Sequence, residues 1–187
     1  MIAPIAADWA SIMNDLWVFG YASLMWRPGF DYVEKQRARL NGYHRALCIY
    51  SWEHRGTRER PGLVMGLDRG GSCVGIAFRV AGDKREEALR YLRERELVTN
   101  VYLERTSKIS LADNRIVDAV TYVADKNHEQ YAGRLSVEDA ATQVCGAVGQ
   151  MGPNEDYVLN TYDQIGQMGI KDSWLSNLSA KIRQNAP

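Results

Sequence analysis

The order in which hydrophobic patterns appear is what most limits the fold of this chain. Residues 16–80 read as β structure. Leu16–Phe19, Arg45–Trp52, Leu63–Leu67 and Cys73–Val80 are short apolar or alternating runs, and Asp68-Arg69-Gly70-Gly71 has the composition of a hairpin turn. One helix interrupts the strands, from about Lys84 to Glu94 or slightly beyond. Asp83 and Glu86 have capping-box spacing there, and Ala88, Leu89 and Leu92 form an apolar stripe. Two more strands are expected at Val101–Leu111 and Ile116–Ala124. From Ser136 onward the period is helical. Ser136 with Asp139 caps a helix over Val137–Val148, Asn154 caps one over Glu155–Met168, and a last covers Ser173–Arg183. Strands first and helices later, with one helix interposed, predict an α+β domain and not a doubly wound sheet.

The 187 residues are most simply one domain, 1–187, with a core of about 16–180. Lys plus Arg and Asp plus Glu balance at 23 each, so no general affinity for nucleic acid or anionic membrane is expected. Basic residues within 27–60 alternate with strand formers and acids. That pattern suits a solvated sheet face or a site for a small anion. Cys48, Cys73 and Cys145 are odd in number and lack C-x-x-C spacing, which speaks against a disulfide framework or zinc site. The first eight residues lack the basic region of a signal peptide, and no segment approaches a membrane span. A cytoplasmic protein without metal or cofactor is expected.

Residues 17–24, Trp-Val-Phe-Gly-Tyr-Ala-Ser-Leu, break from an apolar strand into a small-residue loop. Gly20, Ala22 and Ser23 let backbone approach a ligand, and successive N–H groups in such a turn can form a nest for an anion. There is no G-x-x-x-x-G-K-[ST], no H-E-x-x-H and no G-x-S-x-G around Ser23. His44, His54 and His128 lack metal-ligand spacing and suit hydrogen-bonding roles, with His54 the one placed to line a site.

Arg93-Glu94-Arg95-Glu96 can be a solvated helix face laced with ion pairs. Helical spacing nevertheless separates its two acids. Glu96 lies four residues after Leu92 and seven after Leu89, so it continues the apolar stripe, whereas Glu94 falls with Glu87 and Arg90 on the wet side. A carboxylate on a buried stripe at a helix C-terminus is disfavoured as an anion by desolvation and by the dipole. Its pKa is expected to rise, which suits a group that takes up and returns a proton; a buried ion pair would carry the same signature.

Taken in order, several motifs resemble the ChaC-type γ-glutamylcyclotransferases. They are Phe19-Gly20-Tyr21-Ala22-Ser23-Leu24 with Trp26 and Pro28-Gly29-Phe30, Leu40-Asn41-Gly42-Tyr43-His44-Arg45, His54-Arg55-Gly56-Thr57, Pro61-Gly62-Leu63-Val64 and Gly70-Gly71-Ser72-Cys73. Tyr91-Leu92, Arg95-Glu96 and Thr99 through Tyr102 follow. Gly152-Pro153-Asn154, Tyr157, Asn160-Thr161, Met168-Gly169-Ile170 and Asp172 close the series.

The resemblance implies a small β-barrel with flanking helices, no metal, and cleavage of glutathione to 5-oxoproline and Cys-Gly. It places Gly20, Tyr21, Ala22, Ser23 and Leu24 around the γ-glutamyl head, makes Glu96 the essential acid, and makes Tyr102, Tyr122 and Tyr157 ring or hydroxyl contacts. Arg45 and Arg55 are candidates for the glycine-end carboxylate, or ordinary salt-bridge residues. Ala22 departs from the family's loop glycine. Either the loop has a negative φ there, or alanine is strained and substrate contact altered. Two other readings stand beside this one: a cyclotransferase for other γ-glutamyl amines or amino acids, and a non-catalytic module binding γ-glutamyl ligands.

Overall fold

A computed structural model describes residues 15–185. Five strands, β1 (Leu16–Gly20), β2 (Glu34–Ser51), β3 (Gly62–Val80), β4 (Tyr102–Leu111) and β5 (Ile116–Ala124), close a barrel in the order β1-β3-β2-β4-β5. The closing pair is parallel, Trp17 against Ala119 and Val18 against Val120; the other neighbours are antiparallel. Four helices flank the barrel: α1 (Arg85–Glu96), α2 (Val137–Val144), α3 (Asn154–Gln167) and α4 (Ser173–Asn185). A two-residue pair, β6 (Val148–Gly149) and β7 (Gly152–Pro153), leads into α3.

Alternation along β1 sorts its side chains between two cores. Leu16 and Val18 pack with Ala88, Leu89 and Leu92 of α1, and Trp17 and Phe19 join the larger cluster with α2, α3 and α4. The stripe read from the sequence is therefore what seats α1. Ser136 caps α2 as expected, its Oγ accepting from the Asp139 N–H at 3.0 Å.

Elsewhere the structure corrects the sequence reading. Asp68-Arg69-Gly70-Gly71 is not a hairpin turn but the middle of β3, paired through Asp68 to His44 and Arg69 to Tyr43. A register shift falls between Asn41 and Tyr43, where Gly42, Gly70 and Gly71 all have positive φ. A bulge needs left-handed glycines just as a turn does, so the same residues serve either purpose. β2 starts at Glu34 because Lys35, Arg37, Arg39 and Asn41 face water while Ala38 and Leu40 are buried. Half a strand of charges masks the alternation.

Asp83 and Glu86 form no capping box. A 3₁₀ turn over Gly82–Lys84 precedes α1, whose N-cap, Lys84, makes no side-chain cap bond. α2 ends at Val144 and not Val148, since Cys145 is extended and Gly146 is left-handed at φ +77. The stretch read as lacking a signal peptide lies outside the described residues. No described helix is long and apolar enough to cross a membrane.

Asn154 opens α3 but does not cap it; Pro153 occupies the N-cap. Its buried amide instead clamps β3. Oδ1 accepts from the Leu63 N–H at 2.6 Å, and Nδ2 donates to the Leu63 carbonyl at 2.8 Å. This fixes α3, and Tyr157 one turn on, against the barrel. Asn154→Ala strands a buried donor and acceptor together, so we expect a loss of roughly 2–4 kcal/mol in urea unfolding. Asn154→Asp keeps an acceptor for the N–H but sets a carboxylate against a carbonyl, and should fare no better. An unchanged midpoint in the alanine variant would mean that water replaces the amide.

Candidate active site

β1 and β5 run parallel, so the turn after Gly20 emerges at the end of the barrel where β5 finishes and β4 begins. α1 also ends there, and its chain reverses into β4 through Asn100, a non-glycine at φ +57. Glu96 and Tyr102 are thereby delivered to one place. Glycine suits position 20 because the 3₁₀ turn Ser23–Met25 folds back closely on the strand. A Cβ there would lie 3.0 Å from the Leu24 Cβ and 3.3 Å from the Met25 nitrogen.

Within that turn the Met25 N–H donates to the Ala22 carbonyl and the Arg27 N–H to that of Ser23, both at 2.8 Å. The Ser23 and Leu24 N–H groups open the turn and have no partner inside it. Ala22 has φ −136. The negative angle removes the left-handed requirement that would have demanded glycine. Leu24 differs from its expected place beside a ligand: its side chain is buried against Leu16, Val18 and Leu92.

Glu96 has a side-chain exposure of 17%, whereas Glu94 faces water. Burial pushes the Glu96 carboxyl above the ordinary carboxylate range, and the Arg95 guanidinium opposes the shift. Its charge is felt by four phenols and raises each of them: Tyr21, Tyr102, Tyr122 and Tyr157. Desolvation is the larger cause for all four and takes Tyr157 to about 12, so these phenols are protonated near neutrality.

Two of the phenols hold one residue of β3. Tyr102 donates to the Met65 carbonyl at 2.7 Å, and the Met65 N–H donates to the Tyr157 oxygen at 3.1 Å. Tyr102 has thus spent its proton, while Tyr157 accepts from Met65 and also bonds the Thr161 side chain one turn on. Tyr122 gives its proton to Glu104 at 3.1 Å, and Glu104 is gripped by Arg93 through two bonds of 2.8 Å. Its hydroxyl therefore points to an ion pair and not to open space.

Arg45, a candidate for the glycine-end carboxylate or an ordinary salt-bridge residue, braces the protein in this structure. Its side chain is 5% exposed, with Nε donating to the Tyr21 carbonyl at 2.6 Å, Nη2 to the Val74 carbonyl at 2.7 Å and Nη1 to Asp172 at 3.4 Å. Asp172 also caps α4 by accepting from the Leu175 N–H. Arg55 lies over the Tyr157 ring, 5.3 Å from its centroid, and donates Nη1 to the Met151 and Pro153 carbonyls. His54 lines a neighbouring shallow cleft with Tyr50, Trp52, Thr99 and Val101. His44 and His128 serve backbone atoms of Gly70 and Gln130. The cysteines are free thiols, and among the described residues no three His, Cys, Asp or Glu side chains converge on a metal position.

Sequence reasoning read Asn154 as a helix cap and a motif residue and missed its clamp on β3. It also missed the brace function of Arg45 and the contacts of Arg95, which depend on carbonyls distant in sequence.

A family model described as ChaC-like protein matches residues 16–185. The chain belongs to the ChaC-like family. This ChaC-like chain is 36% identical over 175 residues to glutathione-specific gamma-glutamylcyclotransferase 1 of Danio rerio, which covers 90% of this chain and 89% of that one. It is 31% identical over 169 residues to the glutathione-specific gamma-glutamylcyclotransferase of Escherichia coli K12, covering 90% and 73%. The crystal structure of a yeast gamma-glutamyl cyclotransferase specific to glutathione superposes with a TM-score of 0.82 at 20% identity, over 91% of this chain and 96% of the other. That likeness speaks for the barrel and its flanking helices.

Proposed function

We propose that this ChaC-like enzyme is a glutathione-specific γ-glutamylcyclotransferase, with Glu96 as its proton carrier. The observation behind the assignment of Glu96 is its largely buried carboxyl at the end of α1, joined through Arg95 to Ser23 of the Gly20–Leu24 turn. The substrate supplies its own nucleophile. Its α-ammonium gives a proton to the Glu96 carboxylate, and the freed amine attacks the γ-carbonyl carbon to close a five-membered ring. The Glu96 carboxylic acid then protonates the cysteinyl nitrogen as its bond to that carbon breaks. The carboxylate so regenerated takes the second proton from the ring nitrogen and passes it to the amine of Cys-Gly, which leaves as its ammonium beside 5-oxoproline with Glu96 again a carboxylate. Acid–base work and an enforced attacking geometry carry the rate.

In this reading the turn holds the γ-glutamyl head. The Ser23 and Leu24 N–H groups and the Ser23 hydroxyl meet the α-carboxylate, while Gly20, Tyr21 and Ala22 set the wall. Tyr157, Tyr102 and Tyr122 shape the pocket. Arg55 is the cation for the glycine-end carboxylate, and Arg45 acts only by holding the Tyr21 carbonyl. No metal or cofactor enters any step. We place the enzyme in the cytoplasm with neither nucleic acid nor membrane as partner, supported by a net charge of zero.

Incubation with glutathione should give 5-oxoproline and Cys-Gly in equal amounts. Faster turnover of γ-glutamyl amino acids lacking the Cys-Gly tail would favour the broader cyclotransferase, and tight binding without products would favour a binding module.

A further inference from the structure

Arg95 makes more contacts in the site than any role for it so far requires. Its Nη1 donates to the Arg27 carbonyl at 2.6 Å, the Pro28 carbonyl at 3.4 Å and the Tyr91 hydroxyl at 3.1 Å. Its Nη2 donates to the Ser23 Oγ at 2.9 Å, and its Nε lies 3.2 Å from Glu96 Oε1. All three nitrogens are used, and they join two separate parts of the site. One is the turn from Ser23 to Pro28; the other is the carboxylate at the end of α1.

We propose that Arg95 is the positioning residue of this enzyme, locking the Ser23 turn and the Glu96 carboxylate into one frame. The inference rests on reading Glu96 as the proton carrier. Two consequences follow from the geometry. A Ser23 oxygen that accepts from Arg95 has its own hydrogen left to donate, so the hydroxyl presents a donor to an anionic substrate head. The turn is also held from both flanks, since Arg45 takes the Tyr21 carbonyl while Arg95 takes Ser23, Arg27 and Pro28. A lysine cannot copy this, because a single ammonium lacks the planar fork that reaches acceptors on both sides.

The charge of Arg95 has a second effect. The phenols that feel the charge of Glu96 are Tyr21 after β1, Tyr102 on β4, Tyr122 on β5 and Tyr157 on α3, all neutral near pH 7. Glu104, beside Tyr122, is paired with Arg93. Arg95 is thus the cation that Glu96 meets, and its presence keeps the carboxylate ionised to lower pH.

The test measures kcat and KM for glutathione across pH in Arg95→Gln, Arg95→Lys and Glu96→Gln, with circular dichroism to confirm folding. Loss of the cation should move the acid limb of kcat/KM in Arg95→Gln upward by about 1 pH unit. Arg95→Lys keeps a charge, so its limb should stay near that of the parent while kcat falls about tenfold, the loss expected if the fork orients the reacting groups. A role in folding alone would lower the active fraction equally at every pH. A folded Arg95→Gln with an unmoved limb overturns the inference. If that variant does not fold, parental kcat and KM in Arg95→Lys overturn it instead. Glu96→Gln separates the two readings. Dead Glu96→Gln with unaffected Arg95 variants removes only the inference, whereas active Glu96→Gln removes the role of Glu96 itself.

Discussion

Glu96→Gln should lose turnover by about a thousandfold, the scale expected when a positioned acid–base group is removed. Glutamine matches the carboxylate in shape and still fills its space, but it cannot accept the ammonium proton or return one to the leaving nitrogen. KM for glutathione should change little by comparison. Glu94→Gln, two residues away on the wet side of α1, should keep near-parental kcat. Similar losses in the two variants would mean that the helix end is disturbed as a whole and that no proton carrier has been located.

Stability gives an independent check on the same substitution. Because burial raises the Glu96 carboxyl in the folded state, its charged form opposes folding. The sign is that of an acid with a raised pKa. Below the unfolded value both states are protonated and there is no cost. The cost grows as pH rises from the unfolded value through the raised folded one, and stays constant above it. Glu96→Gln has no charge to desolvate, so above that window it should be at least as stable as the parent. A large drop in its urea midpoint at neutral pH would show that the carboxylate is a structural ion-pair partner of Arg95 first of all.

The distinction between Glu96 and Glu94 was legible in the sequence because it is local: α1 carries Leu89, Leu92 and Glu96 on one side whatever it packs against. The expected strands at β1, β4 and β5 were legible for the same reason. What was not legible is long-range. Parallel pairing of β1 with β5 closes the barrel across a hundred residues, and no local pattern announces it. Gly70 and Gly71 suit a turn or a bulge equally, and only the pairing of β3 with β2 decides between them. Arg45 looks like any strand cation until its nitrogens are seen on Tyr21 and Val74, and Arg95 reads as one half of a surface ion pair. In each case the residue type was visible, but the acceptor lay elsewhere in the chain.

Glutathione acetylated on its α-amine should not be cleaved at all. In ring closure the attacking atom is the substrate's own nitrogen, and acetylation draws its lone pair into an amide. Glu96 then has no ammonium proton to accept, and no other group near the γ-carbonyl is assigned to attack it. An enzyme using a side-chain nucleophile or an activated water would be affected differently. For such chemistry the α-amine is only a handle, and the γ-amide of the blocked compound remains open to attack. Weak binding cannot explain away a positive result, because release of Cys-Gly is the quantity followed, with the acetylated compound raised well above the KM for glutathione. The acetyl group also removes the positive charge that meets Glu96, so poor competition against glutathione is expected and is consistent with the same site. Enzyme-dependent release of Cys-Gly from the acetylated compound, lost again in Glu96→Gln, would show that Glu96 activates something other than the substrate amine. Intramolecular attack would then have to be abandoned even though the site itself had been correctly located.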